Sequence, residues 1–145
     1  MKQVIVYYSK TANTESVAKK LKAKLASDCL AIKAESDDPN QTNVKLIEIP
    51  SIKENDRIIF GSPVHGFSIP KITKAYLEQL GDLTGKTFDL FVTHHFPFAW
   101  LGGNQTLKAM KKVIEKKQGK VEKMISINWK SKKREQDIIN FVNMY

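Results

Sequence analysis

The stretch "VIVYYSKTANTESVAKKL", residues 4–21, decides the fold that we expect from this sequence. Its first five residues are apolar and predict a buried strand over 4–8, and six small or polar residues over 9–14 follow at once. After them, Val17, Leu21 and Leu25 recur at helical spacing. The order strand, polar loop, helix predicts an α/β unit whose connecting loop holds a ligand.

Four more strand-like runs follow, at 29–33, 57–60, 87–93 and 121–127, and helical patterns lie between most of them. The third strand is continuously apolar, as is much of the first and the fourth, which is typical of central strands covered on both faces. Helical stripes over 69–80 and 104–118 provide the crossovers that parallel strands require. A last helix over 132–145 carries an apolar stripe and is expected to pack back on the sheet.

This alternation predicts an α/β fold, a doubly wound five-stranded parallel sheet with helices on both faces. The expected strand order is 2-1-3-4-5. At 145 residues and 41% hydrophobic, the chain is predicted to form a single domain, 1–145. The segment 35–55 gives the weakest signal, a polar turn followed by either a short extension or one helical turn.

Ligands of doubly wound sheets bind beyond the carboxyl ends of the strands, where three predicted loops meet: 9–14, 62–68 and 93–104. The first loop offers the side chains of Ser9, Thr11, Asn13 and Thr14 beside the free backbone N–H groups of a helix start. That combination suits a phosphate, although a plain capped helix start uses the same residue types. The pattern GxxxxGK[ST] is absent, so hydrolysis of ATP or GTP is not expected.

The other two loops suit a flat ligand. In the second, Gly61 and Gly66 permit close approach of the backbone. The third places Phe96, Phe98 and Trp100 between a buried strand and a helix, where aromatic rings can stack on a planar group. A small hydrophobic cluster under the loop is the alternative interpretation of these rings.

Three segments carry a resemblance to a known family. "YYSKTANT" (7–14), "RIIFGSPV" (57–64) and "FVTHH" (91–95) with the later "GGN" (102–104) resemble, in order and spacing, the three FMN loops of the flavodoxin-like family. The likeness extends over nearly the whole chain. It implies FMN as the cofactor, with the phosphate in the first loop and the isoalloxazine ring between the other two. The cofactor-binding residues that it implies are Ser9, Lys10, Thr11, Ala12, Asn13, Thr14, Ser62, Pro63, Val64, His65, Gly66, Phe67, Thr93, His94, His95, Trp100, Gly102 and Gly103.

Two features differ from the family pattern. The family usually has glycine where this chain has Ala12, and a left-handed alanine would add roughly 1 kcal/mol of strain. We expect that strain to weaken FMN binding without abolishing it. Flavodoxins that shuttle electrons are typically acidic, whereas this chain has a formal net charge of +9.

The positive charge is concentrated in one part of the chain. Residues 108–134, from Lys108 to Arg134, contain ten lysines and one arginine against two glutamates, and the rest holds 13 basic and 13 acidic residues. We call this segment the basic edge, because it is expected to gather at one edge of the sheet. It favours an acidic redox partner protein or an anionic membrane surface, with a solvated lysine-rich helix face as the alternative. No pattern for sequence-specific nucleic-acid binding accompanies it.

The histidines do not predict a metal site, because His94 and His95 are joined only by His65 and no carboxylate or thiol cluster accompanies them. Beside a flavin, a histidine that titrates near neutrality can tune the charge of the reduced ring or pass a proton to a quinone. Exposed polar loop residues are the alternative interpretation of the pair.

Three functions remain open from the sequence. The first is an FMN-binding electron-transfer protein that docks an acidic redox partner. The second is an FMN-dependent oxidoreductase that acts on a quinone-like acceptor near a membrane, as in the flavodoxin-like protoporphyrinogen oxidases. The third is a flavin-free binding module of the same fold. The N-terminal apolar run is too short for a secretory or transmembrane segment, so a cytoplasmic location is expected.

Overall fold

The structure, a computed structural model, describes residues 2–66, 68–95 and 102–145. Its strands are β1 (Gln3–Tyr7), β2 (Asp28–Ala31), β3 (Lys33–Ala34), β4 (Leu46–Glu48), β5 (Arg57–Pro63), β6 (Thr87–His94) and β7 (Lys120–Asn128). Its helices are α1 (Asn13–Leu25), α2 (Lys71–Gln79), α3 (Gly103–Lys116) and α4 (Arg134–Val142). Each predicted strand and helix therefore has a counterpart.

Five strands form one sheet in the order β2-β1-β5-β6-β7, and every neighbouring pair is parallel. Numbered within this sheet alone, the order is 2-1-3-4-5, as predicted. The three central strands are apolar because both of their faces are covered. In β5, for example, Ile58, Ile59 and Phe60 are all completely buried.

Helices cover both faces of the sheet, which confirms the doubly wound architecture. On one face, Ile5 and Ile59 pack in a cluster with Leu21 of α1 and Phe141 of α4. On the other face, Phe60 and its neighbours pack with α2 and α3, and the Phe60 ring stacks on Tyr76 with centroids 5.8 Å apart. No helix in the described part of the chain is long and apolar enough to cross a membrane.

The segment after β2 differs from its prediction. The strand predicted over 29–33 ends at Ala31, and Lys33 belongs to β3, which pairs antiparallel with β4 in a separate two-stranded sheet. Of the two alternatives for 35–55, the short extension is therefore found, as β4. This small sheet remains attached because Ala34 and Leu46 pack against the main core.

The carboxyl ends of two central strands also extend further than predicted. β5 continues to Pro63 and β6 to His94, because the two strands keep pairing as far as Pro63 opposite Thr93. Ser62, Pro63, Thr93 and His94 are therefore strand residues, not loop residues. Similarly, α1 begins at Asn13, inside the predicted first loop.

A buried carboxylate joins three strands and residue 145. Asp89 of β6 is completely buried and accepts hydrogen bonds from Arg57 Nη1 at 2.8 Å and from the Tyr145 hydroxyl at 2.6 Å. Its other oxygen accepts the backbone N–H of Lys123 at 3.2 Å. Burial, and then the hydrogen bond to Asp89, raise the pKa of Tyr145, so its hydroxyl remains a donor at neutral pH. A buried carboxylate is tolerated only when it has partners, and Asp89 finds them on both neighbouring strands and at residue 145.

Gly61 lies where the Phe91 ring crosses β5, so we expect Gly61→Ala to destabilise the fold. An added Cβ would lie 2.6 Å from both ε carbons of that buried ring. Overpacking of this kind should lower the free energy of unfolding by about 1–3 kcal/mol, which urea denaturation measures. The matched control is Gly81→Ala, since nothing lies within 4 Å of the Cβ added there. Equal losses in the two variants would contradict the packing argument.

Candidate functional site

A cavity of about 300 Å³ lies at the carboxyl edge of the sheet and brings the three predicted loops together. Nine residues predicted to bind the cofactor line it: Lys10, Thr11, Asn13, Pro63, Val64, His65, Gly66, Thr93 and His95. Its volume is at the lower end of the range for small-molecule sites.

The first loop leaves several backbone donors free at the start of α1. The first hydrogen bond of the helix runs from Ser16 N–H to the Ala12 carbonyl at 2.9 Å. The N–H groups of Thr11, Ala12, Asn13 and Thr14 donate to no acceptor among the described residues. Free N–H groups and the positive end of the helix dipole together attract an anion.

Ala12 adopts a left-handed conformation, with φ of 70° and ψ of −1°. This is the conformation in which an alanine at this position is expected to be strained. Ala26, at the other end of the same helix, is also left-handed, with φ of 50°. Since Ala12 is strained before any ligand arrives, the fold itself carries this cost of roughly 1 kcal/mol. The expectation that the strain weakens FMN binding is therefore revised: we now expect it to lower the stability of the fold instead.

Three hydrogen bonds join the loops to one another. The hydroxyls of Thr14 and Thr93 are 2.9 Å apart and both side chains are buried. Asn13 Nδ2 lies 3.1 Å from His95 Nε2, and Val64 N–H donates to the Thr93 carbonyl at 3.2 Å. The Thr14 hydroxyl therefore links α1 to β6, while the exposed Thr11 borders the cavity.

Two hydroxyl side chains of the predicted site form hydrogen bonds within the protein and do not line the cavity. Ser9 Oγ accepts the N–H of Glu15 at 3.2 Å, which satisfies one donor of the first turn of α1. Ser62 is completely buried, with its hydroxyl 2.7 Å from that of Thr73 in α2. Neither residue lines the cavity.

The second loop reverses direction after β5 in a tight turn. His65 and Ser68 exchange backbone hydrogen bonds of 3.1 and 3.0 Å, and Gly66 supports the turn with φ of 56°, which glycine adopts without strain. Phe67, predicted to border the cofactor, lies outside the described residues.

The surroundings of His65 favour the neutral form of its imidazole. Burial lowers its pKa below the usual 6.5, and the nearby charge of Lys10 lowers it further, while Asp37 acts in the opposite direction. The Tyr8 ring meets the imidazole edge-on, with centroids 6.0 Å apart. An imidazole whose neutral form is favoured therefore borders the cavity.

The two adjacent histidines of the third loop are not equivalent. His94 is 3% exposed, and its carbonyl accepts the N–H of Trp129 at 2.7 Å, whereas His95 is exposed and borders the cavity. The interpretation of both as exposed loop residues is therefore wrong for His94. Residues 96–101, which include Phe96, Phe98 and the predicted site residue Trp100, lie outside the described residues.

Gly102 and Gly103 form the start of α3. Gly102 has φ of 121°, a conformation that side chains rarely adopt. Gly103 packs against His94, since an added Cβ would lie 3.3 Å from His94 Cδ2. Both glycines are buried and neither lines the cavity, so they set the position of the helix.

Residues 37–39 also contribute to the site, which was not predicted from the sequence. Pro39 lines the cavity, and Asp37 accepts a hydrogen bond of 3.0 Å from the Tyr8 hydroxyl. Polar residues before Pro39 predict a turn, but nothing in the sequence brings that turn to the ends of β1 and β5. Among the residues that the structure describes, no cluster of His, Cys, Asp or Glu is suited to a metal ion.

The basic edge lies on α3, on the edge strand β7 and before α4. Part of it is neutralised within the fold, since Lys123 Nζ lies 3.7 Å from Asp89 and 3.6 Å from Glu122. Lys108, Lys112 and Lys116 are exposed on α3 and form no ion pair with any described residue. The same holds for Lys120 of β7 and for Lys130, Lys132 and Lys133 before α4. The free positive charge therefore extends over the whole basic edge.

The sequence matches no protein-family model and no curated protein. Solved structures are similar to it in fold. A protein of Bacteroides eggerthii DSM 20697, provisionally assigned as a flavoprotein, is 20% identical with a TM-score of 0.74, over 99% of this chain and 96% of that one. Oxidised Flavodoxin 2 of Bacillus cereus is also 20% identical, with a TM-score of 0.66 over 99% and 96%.

A third structure, a flavoprotein of Lactobacillus acidophilus NCFM in complex with FMN, is 18% identical with a TM-score of 0.66, over 86% of this chain and 92% of that one. These superpositions extend over nearly all of both chains in two of the three cases. They agree with the strand order and with the helices on both faces of the sheet. The chain has the flavodoxin-like fold.

Proposed function

We propose that this protein binds FMN at the carboxyl edge of its sheet and acts as an electron-transfer protein. The observation that carries the proposal is the cavity in which residues of all three loops meet. The FMN named for the Lactobacillus acidophilus protein supports the choice of ligand. FMN, when bound, supplies one- and two-electron redox chemistry, and the protein supplies its position and surroundings.

The first loop fits the phosphate of FMN. Free N–H groups over 11–14 and the positive end of α1 favour an anion, and Lys10 and the Thr11 hydroxyl border the same cavity. In this assignment Thr14 acts indirectly, because its buried hydroxyl fixes the start of α1 against β6. The fit therefore rests on backbone donors more than on the hydroxyl-rich sequence.

The second and third loops fit the two sides of a flat ring. The cavity is lined by residues 63–66 of the second loop and by Thr93 and His95 of the third. Burial and Lys10 lower the pKa of His65, which disfavours a positive charge on this residue beside the ring. The partner that we propose is an acidic redox protein, because the free charge on α3 is positive.

FMN titration tests the proposal directly. We expect the purified protein to bind FMN with quenching of its fluorescence. Thr11→Val should weaken FMN binding by about tenfold or more, because a hydrogen bond to a charged group is worth about 1.5–3 kcal/mol. Riboflavin, which lacks the phosphate, should bind both proteins with equal affinity.

The matched control is Thr42→Val, an exposed threonine that does not line the cavity, which should leave both affinities unchanged. Equal weakening of FMN and riboflavin by Thr11→Val would contradict the phosphate assignment. If the purified protein does not bind FMN, the result would favour the third function, a flavin-free binding module.

The variant Ala12→Gly tests whether the strain at Ala12 lowers the stability of the fold or the affinity for FMN. Because Ala12 is already left-handed without ligand, we expect Ala12→Gly to raise stability by up to about 1 kcal/mol and to change the Kd for FMN by less than about twofold. Ala26→Gly, which relieves the same conformation at the other end of α1, should have a similar effect on thermal unfolding. Markedly tighter FMN binding in Ala12→Gly alone would show that Ala12 opposes the ligand.

His65 should titrate below its usual pKa of 6.5, which NMR of the imidazole C–H resonances measures. Its neutral form is favoured by burial and by Lys10, so Lys10→Ala should raise the midpoint and Asp37→Asn should lower it. Lys53→Ala, a control on an exposed lysine that does not line the cavity, should leave the midpoint unchanged. A midpoint at or above the usual value would refute this account of the cavity's electrostatics.

A further inference from the structure

A groove of about 620 Å³ runs between α2 and α3, on a different part of the surface from the cavity. It is lined by Ile69, Lys74, Glu78, Ala109, Lys112, Val113, Lys116 and Lys117. None of these residues lines the cavity proposed for FMN. The groove is therefore a second candidate site.

The groove has an apolar floor and a positive rim. Ile69, Ala109 and Val113 are half-buried, with part of each still open to solvent. Lysines from both helices surround them against a single carboxylate, Glu78, which is 3.6 Å from Lys74 within α2. A surface of this kind binds a ligand that is apolar on one side and negatively charged on the other.

The spacing of the lysines on α3 destabilises the isolated helix, because their positive charges repel one another. Lys108, Lys112 and Lys116 follow one another at four-residue spacing, and like charges at that spacing destabilise a helix. Lys19 and Lys74 on the other helices instead face glutamates at this spacing, Glu15 at 3.5 Å and Glu78 at 3.6 Å. Helix α1 also has one like-charge pair, Lys20 and Lys24, whereas α3 has two in a single row. An acidic partner would remove the repulsion on α3.

We propose that this groove docks an acidic amphipathic helix of a partner protein. Its apolar side chains would rest on Ile69, Ala109 and Val113, and its carboxylates would pair with Lys112 and Lys116. Binding of an amphipathic helix in a groove is a common mode of recognition, and charge complementarity sets its partner.

Other occupants fit the groove less well. A membrane-binding face carries exposed large apolar residues, and among the described residues none of these lies on α2 or α3. A small-molecule site fixes its ligand with a few buried, precisely placed polar groups, whereas the polar groups here are mostly exposed lysines. Nucleic acid has no apolar side chains for the floor to accept.

In the sequence, one end of the groove directly follows the second loop of the proposed redox site. Ile69 follows Ser68, whose backbone pairs with His65 at the cavity. One end of a docked helix, at Ile69, would therefore lie one residue along the chain from the second loop. The inference gives the proposed redox function a partner surface, but the groove itself does not depend on flavin.

The test is fluorescence anisotropy with a labelled synthetic helix of about 15 residues that carries leucines on one face and glutamates on the other. The wild-type chain, with and without FMN, should bind it, and raising NaCl from about 25 to about 300 mM should weaken binding. The double variant Lys112→Glu/Lys116→Glu should weaken binding by about tenfold or more. Circular dichroism verifies that this variant is folded.

The matched control is Lys130→Glu/Lys132→Glu, which makes the same change of charge on the basic edge but outside the groove, and it should bind nearly as the wild type does. The proposal is overturned if both double variants lose binding equally, if a leucine-free acidic peptide binds as well, or if wild type binds with a Kd above about 1 mM. Tighter binding of a single-stranded DNA 12-mer or of phosphatidylglycerol vesicles, with the same response to the variants, would also overturn it. Since FMN binding is measured separately, failure of the groove leaves the cofactor proposal intact.

Discussion

The parallel register of β1, β5 and β6 is the constraint on which the rest of the molecule depends. Tyr7 lies opposite Gly61, and Pro63 lies opposite Thr93, so the three strands stop at one edge and release their loops side by side. Parallel strands need crossovers, and these place helices on both faces and bury the central strands completely. The same pairing therefore creates both the hydrophobic core and the cavity above it.

Polar residues at that edge divide into two groups with different tasks. Thr14, Thr93 and Ser62 are buried, and their hydroxyls bond to one another or to α2, so they fix the loops in place. Lys10, Thr11 and His95 are exposed at the cavity with the free backbone donors. A site built in this way has donors that are already oriented before a ligand arrives, which reduces the free energy required to order them.

The sequence was sufficient for the sheet, its strand order and most of the cavity, because these follow from local periodicity and from the rule that ligands bind at carboxyl ends. It did not predict which hydroxyls face inward, since Thr11 and Thr14 are the same residue type and only packing against Thr93 separates them. His94 and His95 pose the same problem, because β6 continues one residue beyond its expected end. His94 is thereby the last buried residue of the strand, and His95 is the exposed residue that follows it. The place of Pro39 at the cavity was not predicted either, because it depends on the position of the small sheet. That position is set by the packing of Ala34 and Leu46 against the core, which the sequence alone does not reveal.

The contact between Asp89 and Tyr145 has a consequence for the order of events during synthesis. The two residues are 56 positions apart, so the ribosome makes the central strand β6 long before the hydroxyl that caps its buried carboxylate. Until then Asp89 depends on Arg57, since Lys123 is also made later. The set of hydrogen bonds to Asp89 is therefore complete only after residue 145 has been synthesised and has left the ribosome.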